Sequence, residues 1–137
     1  MEFEIHTHSD DQVKELARAL AINAANRGVG LLDYGKAESV SLAKQEDGTL
    51  IGGLFVIPRE ELTAEIMFVV LEQFEHQGVA TRLVEQVVRE LLEGKYQKVQ
   101  ASVAKDTASE RVLQKNGFGP EYENGPYRMM AKRKDTV

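Results

Sequence analysis

The 137-residue chain contains no cysteine, which excludes disulfides, a thiolate nucleophile and a cysteine metal site. It has no excess of positive charge. Lys and Arg number 17 against 22 Asp and Glu, a formal charge of −5. Nothing therefore draws the whole molecule to nucleic acid or an anionic membrane, and any anionic ligand must be held by local features. No stretch approaches the ~20 apolar residues that span a bilayer. Met1 to Asp10 is charged and alternating, unlike a signal peptide. Linkers, repeats and low-complexity segments are also missing. The expected setting is the cytoplasm, with no membrane or nucleic-acid partner. Hydrophobic residues make up 42% and charged residues 28%, an ordinary globular balance. The length suits one domain over residues 1–137. Residues 132–137 read as a short polar tail.

Hydrophobic periodicity orders the chain. Met1 to Thr7 alternates, with Phe3 and Ile5 on one side, and reads as a strand. Ser9-Asp10-Asp11-Gln12 has the form of a capping box. It would open a helix whose apolar stripe includes Val13, Leu16, Ala17 and Leu20 and which fails near Arg27-Gly28. Ser39 to Gln45 and Leu50 to Ile57 form a hairpin around Asp47-Gly48. Gly52-Gly53 inside the second strand points to a bulge or a close approach by another group. Ala64 to Leu71 is apolar on both faces, with Ile66, Phe68 and Val70 opposite Met67, Val69 and Leu71. That pattern predicts a central strand covered on both sides.

Gly78 to Glu93 supplies a covering helix with a wide apolar stripe. Lys98 to Ala104 is a strand, and Thr107-Ala108-Ser109-Glu110 opens a second helix that Gly117 stops. Glu121-Tyr122 and Tyr127 to Ala131 pair as a last hairpin around Asn124-Gly125. The order β–α–β–β–β–α–β–α–β–β describes a mixed α/β domain. Its central strand and the next are joined by a crossover helix and run parallel.

The step from Leu71 through Gln77 into the helix at Gly78 is an anion-binding device. The first amides of a helix have no intrahelical acceptor, and the macrodipole adds about half a positive charge. Gly78 and Ala80 leave the approach open. By itself the segment reads rather as an ordinary helix start with small residues for packing. Neither a P-loop sequence nor a Gly-x-Gly-x-x-Gly sequence is present.

Two blocks resemble the GNAT superfamily of acyl-CoA-dependent N-acetyltransferases. Ala64 to Val70 with Gln77-Gly78-Val79-Ala80-Thr81-Arg82-Leu83 is similar to that family's central strand and its Arg/Gln-x-x-Gly-x-Gly/Ala loop, which cradles the CoA pyrophosphate. Ser109 to Phe118 resembles its second CoA-contacting helix, which closes with Gly-Phe. The resemblance covers nearly the whole chain. It implies a GNAT fold, a mixed sheet with a splayed central parallel strand pair and flanking helices. It also implies acetyl-CoA as co-substrate, no metal, and direct attack by a small-molecule or peptide amine. The alternatives are a non-catalytic CoA-binding module of the same fold and a ferredoxin-like interaction domain. A homodimer is compatible with either reading.

Three positions depart from the family pattern. Glu75 stands at the Arg/Gln position, Asp106 where many relatives have Asn, and Leu113 where many have a Tyr that protonates the departing thiolate. A thiol pKa of about 8.5 makes that acid dispensable. The resemblance places the donor along Phe68, Val69 and Val70, the pyrophosphate at Gln77 to Arg82, and further contacts at Asp106, Ser109 and Lys115. Lys105 is a further candidate phosphate contact. Each of these cations, and Asp106 as a helix cap, also has an ordinary structural explanation. Glu65 is the first candidate base, or else a solvated strand-end charge. Glu72 is the second, and Tyr127, with Tyr122, is a candidate acid. His76 is placed on the phosphate side. Asn23, Asn26 and Arg27 fall where relatives line the acceptor pocket. His6 and His8 lack metal-ligand spacing.

Overall fold

The apolar faces of the strand near residue 67 demand cover on both sides, and the computed structural model, which describes residues 2–11 and 37–135, places that strand at the centre of a sheet. The elements run β1 (Phe3–His8), β2 (Ser39–Gln45), β3 (Leu50–Pro58), β4 (Thr63–Val70), α1 (Val79–Glu93), β5 (Lys98–Ala104), α2 (Ala108–Lys115), β6 (Gly119–Asn124) and β7 (Tyr127–Arg133). A short 3-10 turn, Glu72–Phe74, follows β4. The seven strands lie in the order β1-β2-β3-β4-β5-β7-β6. The helix expected beyond Ser9, with Asn23, Asn26 and Arg27, falls on residues 12–36, outside those described.

Alternation along β4 divides the core as the sequence predicts. Ala64 and Ile66 face one cluster with Leu54 and Val56, under Val79, Leu83, Val84, Val87 and Val88 of α1. Met67 and Val69 face a second with Val40, Leu42, Phe55 and Ile57. At about 25 cal/mol per Å² of apolar area, burial on two faces anchors β4 firmly, as it does its partner β3.

Both expectations for the glycine pair hold. The β2–β3 register slips between Ala43 and Lys44, a bulge beside Gly52. Gly52 also lets α1 settle on the sheet: a Cβ there would lie 3.0 Å from the Val69 carbonyl oxygen and 3.3 Å from Val79 Cγ1. β7 runs to Arg133, two residues into the segment expected as a loose tail. Val99 pairs with Lys132 and Lys98 with Arg133. Backbone pairing is indifferent to side-chain polarity, so the charged end of the strand still joins the ladder.

β6 is held to its neighbours by charge. Glu121 bridges Lys98 at 3.3 Å and also meets Arg133. Burial alone would raise the Glu121 pKa, but hydrogen bonds from Arg133 and Lys98 outweigh it and hold the group below the ordinary carboxylate value. A depressed folded pKa contributes stability above the unfolded pKa and loses it as pH falls through the folded value. Glu121→Gln is therefore expected to shrink the difference in unfolding free energy between neutral and strongly acid solution. An unchanged pH dependence by urea titration would refute this. Gly52→Val is expected to destabilise by about 1–3 kcal/mol through overpacking. A variant whose urea midpoint matches wild type would show that α1 can shift freely.

Candidate functional site

β4 and β5 are parallel neighbours over only three residue pairs, ending at Glu65↔Gln100. Beyond that pair β4 keeps β3 as partner up to Val70, while β5 pairs with β7 along its whole length. Backbone groups alternate sides along a strand. The Leu71 N–H bonds the Ile51 oxygen, and the Thr63 oxygen accepts from Arg59 N–H, so odd-numbered residues face β3. Phe68 and Val70 therefore direct their N–H and C=O groups, and Ile66 its C=O, into the gap, where no ladder with β5 continues.

A cleft of about 460 Å³ follows this freed edge. Phe68, Val69 and Val70 form its floor, Phe74 to His76 and Gly78 to Thr81 one wall, and α2 the other. Gly78 is left-handed at φ +83° and caps α1 without a side-chain bond. Space around it is open, with nothing within 4 Å of an added Cβ. The first helical bond is Arg82 N–H to the Gly78 oxygen, so the amides of Val79, Ala80 and Thr81 precede the α1 ladder. These features fit an anionic, extended ligand with amide groups along its length.

Of the proposed ligand contacts, Phe68, Val69, Val70, Gly78, Val79, Ala80, Thr81, Ser109 and Lys115 line the cleft together. Gln77, Arg82, Asp106 and Lys105 do not. Gln77 Nε2 donates back to the Gln73 oxygen at 3.3 Å. The Arg82 guanidinium lies 4.1 Å from the centre of the Phe3 ring, a cation–π contact that ties α1 to β1. Asp106 sits at φ +61° in the turn before α2, and the cap of that helix is Thr107, whose Oγ1 accepts from Glu110 N–H. Lys105 Nζ bonds Glu123 at 2.8 Å.

None of the three nominated catalytic side chains lines the cleft. Glu65 is not a solvated strand-end charge: it is 6% exposed. Gln100 Nε2 donates to its Oε1 at 2.9 Å and Arg59 Nε approaches the same oxygen at 3.4 Å. Both contacts fall on Oε1. The side chain shares the β4 face of Met67 and Val69, opposite α1. Glu72 is exposed in the 3-10 turn. Tyr127 and Tyr122 stand exposed on the β6–β7 hairpin. Leu113 is fully buried in the core under α2.

The cleft also holds Arg111 and Phe74, which the sequence did not single out. Arg111 lies on α2 one turn before Lys115, and both reach the cleft. That i, i+4 spacing was the available signal. Phe74, an apolar residue in a polar loop, closes one end. Glu75 contributes to the same wall, and its backbone N–H is taken by the Glu72 oxygen. Among the described residues, no cluster of three His, Asp or Glu could hold a metal, and no helix is long and apolar enough to cross a membrane.

A family model described as acetyltransferase (GNAT) family matches residues 6–118. No curated protein matches the chain significantly. Among solved structures, an acetyltransferase of the GNAT family from Streptococcus pneumoniae is similar at TM-score 0.79 and 17% identity, covering 98% of this chain and 100% of that one. Spermidine N-acetyltransferase from Vibrio cholerae, in complex with CoA and spermine, is similar at TM-score 0.73 and 14% identity, covering 96% and 95%. An IAA acetyltransferase from Bacillus cereus is similar at TM-score 0.65 and 19% identity, covering 95% and 97%. At these identities the structural likeness establishes the fold. The ferredoxin-like alternative is excluded by the seven-strand order and the forked parallel pair.

His76 is strained where it borders the cleft, at φ +63°. A side chain in that region costs roughly 1–2 kcal/mol, partly offset on replacement by the greater entropy of unfolded glycine. His76→Gly is expected to raise stability by about 0.5–1 kcal/mol. An equal or lower urea midpoint would show that the imidazole makes a compensating contact.

Proposed function

The chain belongs to the acetyltransferase (GNAT) family, and we propose that it moves an acetyl group from acetyl-CoA to a primary amine by direct attack on the thioester. The observation that carries this is the continuity of unpaired donors. They run from the freed edge of β4 at Phe68 and Val70 to the first amides of α1 at Val79 to Thr81. An acidic protein has few other ways to hold a pyrophosphate.

In this reading the pantetheine arm takes the place of the missing strand between β4 and β5, and its amides complete the ladder. The diphosphate rests on the amides after Gly78, with Arg111 and Lys115 facing it from α2. A β4 N–H polarises the thioester carbonyl, as a preorganised donor does in an oxyanion hole. The thiolate, with a thiol pKa of about 8.5, leaves without a protein acid. The amine must arrive neutral. Glu65 does not line the cleft, so it can take that proton only from an amine that enters from the sheet face opposite α1, where Arg59 and Gln100 both bond Oε1 and leave Oε2 as the remaining acceptor. The acceptor class is an amine. A similar fold seen with CoA and spermine supports that class.

A second reading keeps acetyl-CoA and drops transfer. Leu113, buried where a phenol would serve as acid, favours it. Binding without thiol release across a panel of amines would select this reading.

Calorimetric titration with acetyl-CoA is expected to show saturable binding, and silence at millimolar ligand would end both readings. Gly78→Glu is expected to cost roughly 1–2 kcal/mol for a side chain at a left-handed position and to abolish that binding in the protein that folds, since the side chain meets open space but carries a negative charge to the diphosphate. Wild-type affinity in the folded variant would move the nucleotide elsewhere.

A further inference from the structure

We infer that Glu110 and Arg128 are positioning residues for acetyl-CoA, an ion pair between a buried carboxylate and a half-buried guanidinium that sets α2 as the second wall of the cleft. The inference rests on the acetyl-CoA reading above. α2 has eight residues, too short to be stable without tertiary contacts. The side chains it buries fully are Leu113 and Glu110. One apolar and one charged anchor thus hold a helix whose other side presents Ser109, Arg111, Val112 and Lys115 to the cleft.

Glu110 is 3% exposed, and both its oxygens are engaged. Oε1 accepts the Asp106 N–H at 3.2 Å, and Oε2 accepts Arg128 Nη1 at 2.7 Å. Arg128 Nη2 continues to Glu123 at 3.0 Å, and Lys105 closes the path on Glu123 at 2.8 Å. The Lys105 N–H bonds the Pro126 oxygen at the tip of the β6–β7 hairpin. The path begins and ends in the turn before α2, because Asp106 and Lys105 are adjacent. It therefore fixes that turn, the first turn of α2 and the hairpin as one unit. Asp106 is also left-handed, and its amide bond to Glu110 holds it there.

A buried ion pair is a poor source of net stability compared with apolar packing, but it is strict in geometry. The guanidinium fork meets Glu110 and Glu123 through two donors in one rigid plane, whereas an ammonium could reach both only through rotatable donors on a flexible stem. Such a pair suits a helix that must be held at one height above a ligand. Glu110 is thus held directly by Arg128 of β7 and the Asp106 amide of the turn, and through Arg128 it is linked to Glu123 of β6 and to Lys105.

The test compares acetyl-CoA dissociation constants by calorimetry with urea midpoints. Wild type is titrated first; absence of binding there would remove the acetyl-CoA reading itself. Given binding, Glu110→Gln keeps an acceptor for Asp106 N–H and loses the ion pair. Its dissociation constant is expected to rise about tenfold, the size of one lost charge-assisted contact. Arg128→Met is expected to do the same or worse, and Arg128→Lys, which keeps the charge but not the rigid fork, to recover part of the affinity. Wild-type affinity in folded Glu110→Gln would overturn the inference, as would equal losses in Arg128→Lys and Arg128→Met. If Glu110→Gln does not fold, Arg128→Lys carries the comparison. Failure of both to fold would show that the pair serves stability and not position.

Discussion

The parting of β4 from β5 after Glu65↔Gln100 is the constraint on which the site depends. Two parallel strands would ordinarily satisfy each other along their length. Here each has another partner, β3 for β4 and β7 for β5, so each gives up hydrogen bonds on one edge only. The cost of unpaired backbone is substantial if it is buried and small if it meets solvent or ligand. The fork therefore has to open into a cleft. The cleft in turn requires both following segments, the β4–α1 loop and the β5–α2 turn, to bend away from the gap.

That bending puts a left-handed side-chain residue on each side of the cleft, His76 on one and Asp106 on the other, while Gly78 makes its left-handed turn without steric cost. Local bonds hold these conformations. Phe74 and Glu75 donate to Leu71 and Glu72, Asp106 donates to Glu110, and Thr107 Oγ1 donates to the Ala104 oxygen. Strain held by short-range bonds around a cavity is typical of ligand sites. The two walls are also joined directly, since Asn116 Nδ2 on α2 reaches the Val112 oxygen at 3.0 Å and the Thr81 oxygen at 3.5 Å. Movement of α2 would thus be felt at the start of α1.

The core supports this arrangement asymmetrically. α1 presses Val79 and Leu83 onto β3 at Gly52, where a missing side chain admits them. The first turn of α1 is consequently fixed at the sheet surface, and its amides point along the edge of β4 and not into solvent at large. Arg82, over Phe3, secures the same turn from the β1 side. A cation that sequence pattern alone would give to a phosphate is spent on packing.

What the sequence alone determined is local and periodic. The two apolar faces of β4, the stripe of α1, the Gly78 and Thr107 helix starts, and the Asp47-Gly48 turn each depend on residues within a few positions of one another. Their physical causes are side-chain alternation, capping and left-handed tolerance. What only the tertiary structure decided is the partner of each charge. Glu65 meets Gln100 across 35 positions and Glu110 meets Arg128 across 18, while Lys105 turns to Glu123 and not to the cleft. Charged side chains are long and their attractions weakly directional in sequence, so which one reaches a ligand depends on the neighbours the fold brings near. Pattern joined to the family resemblance could place the amides of the cleft, because backbone direction follows from secondary structure. It could not place the ions, because their positions follow from packing.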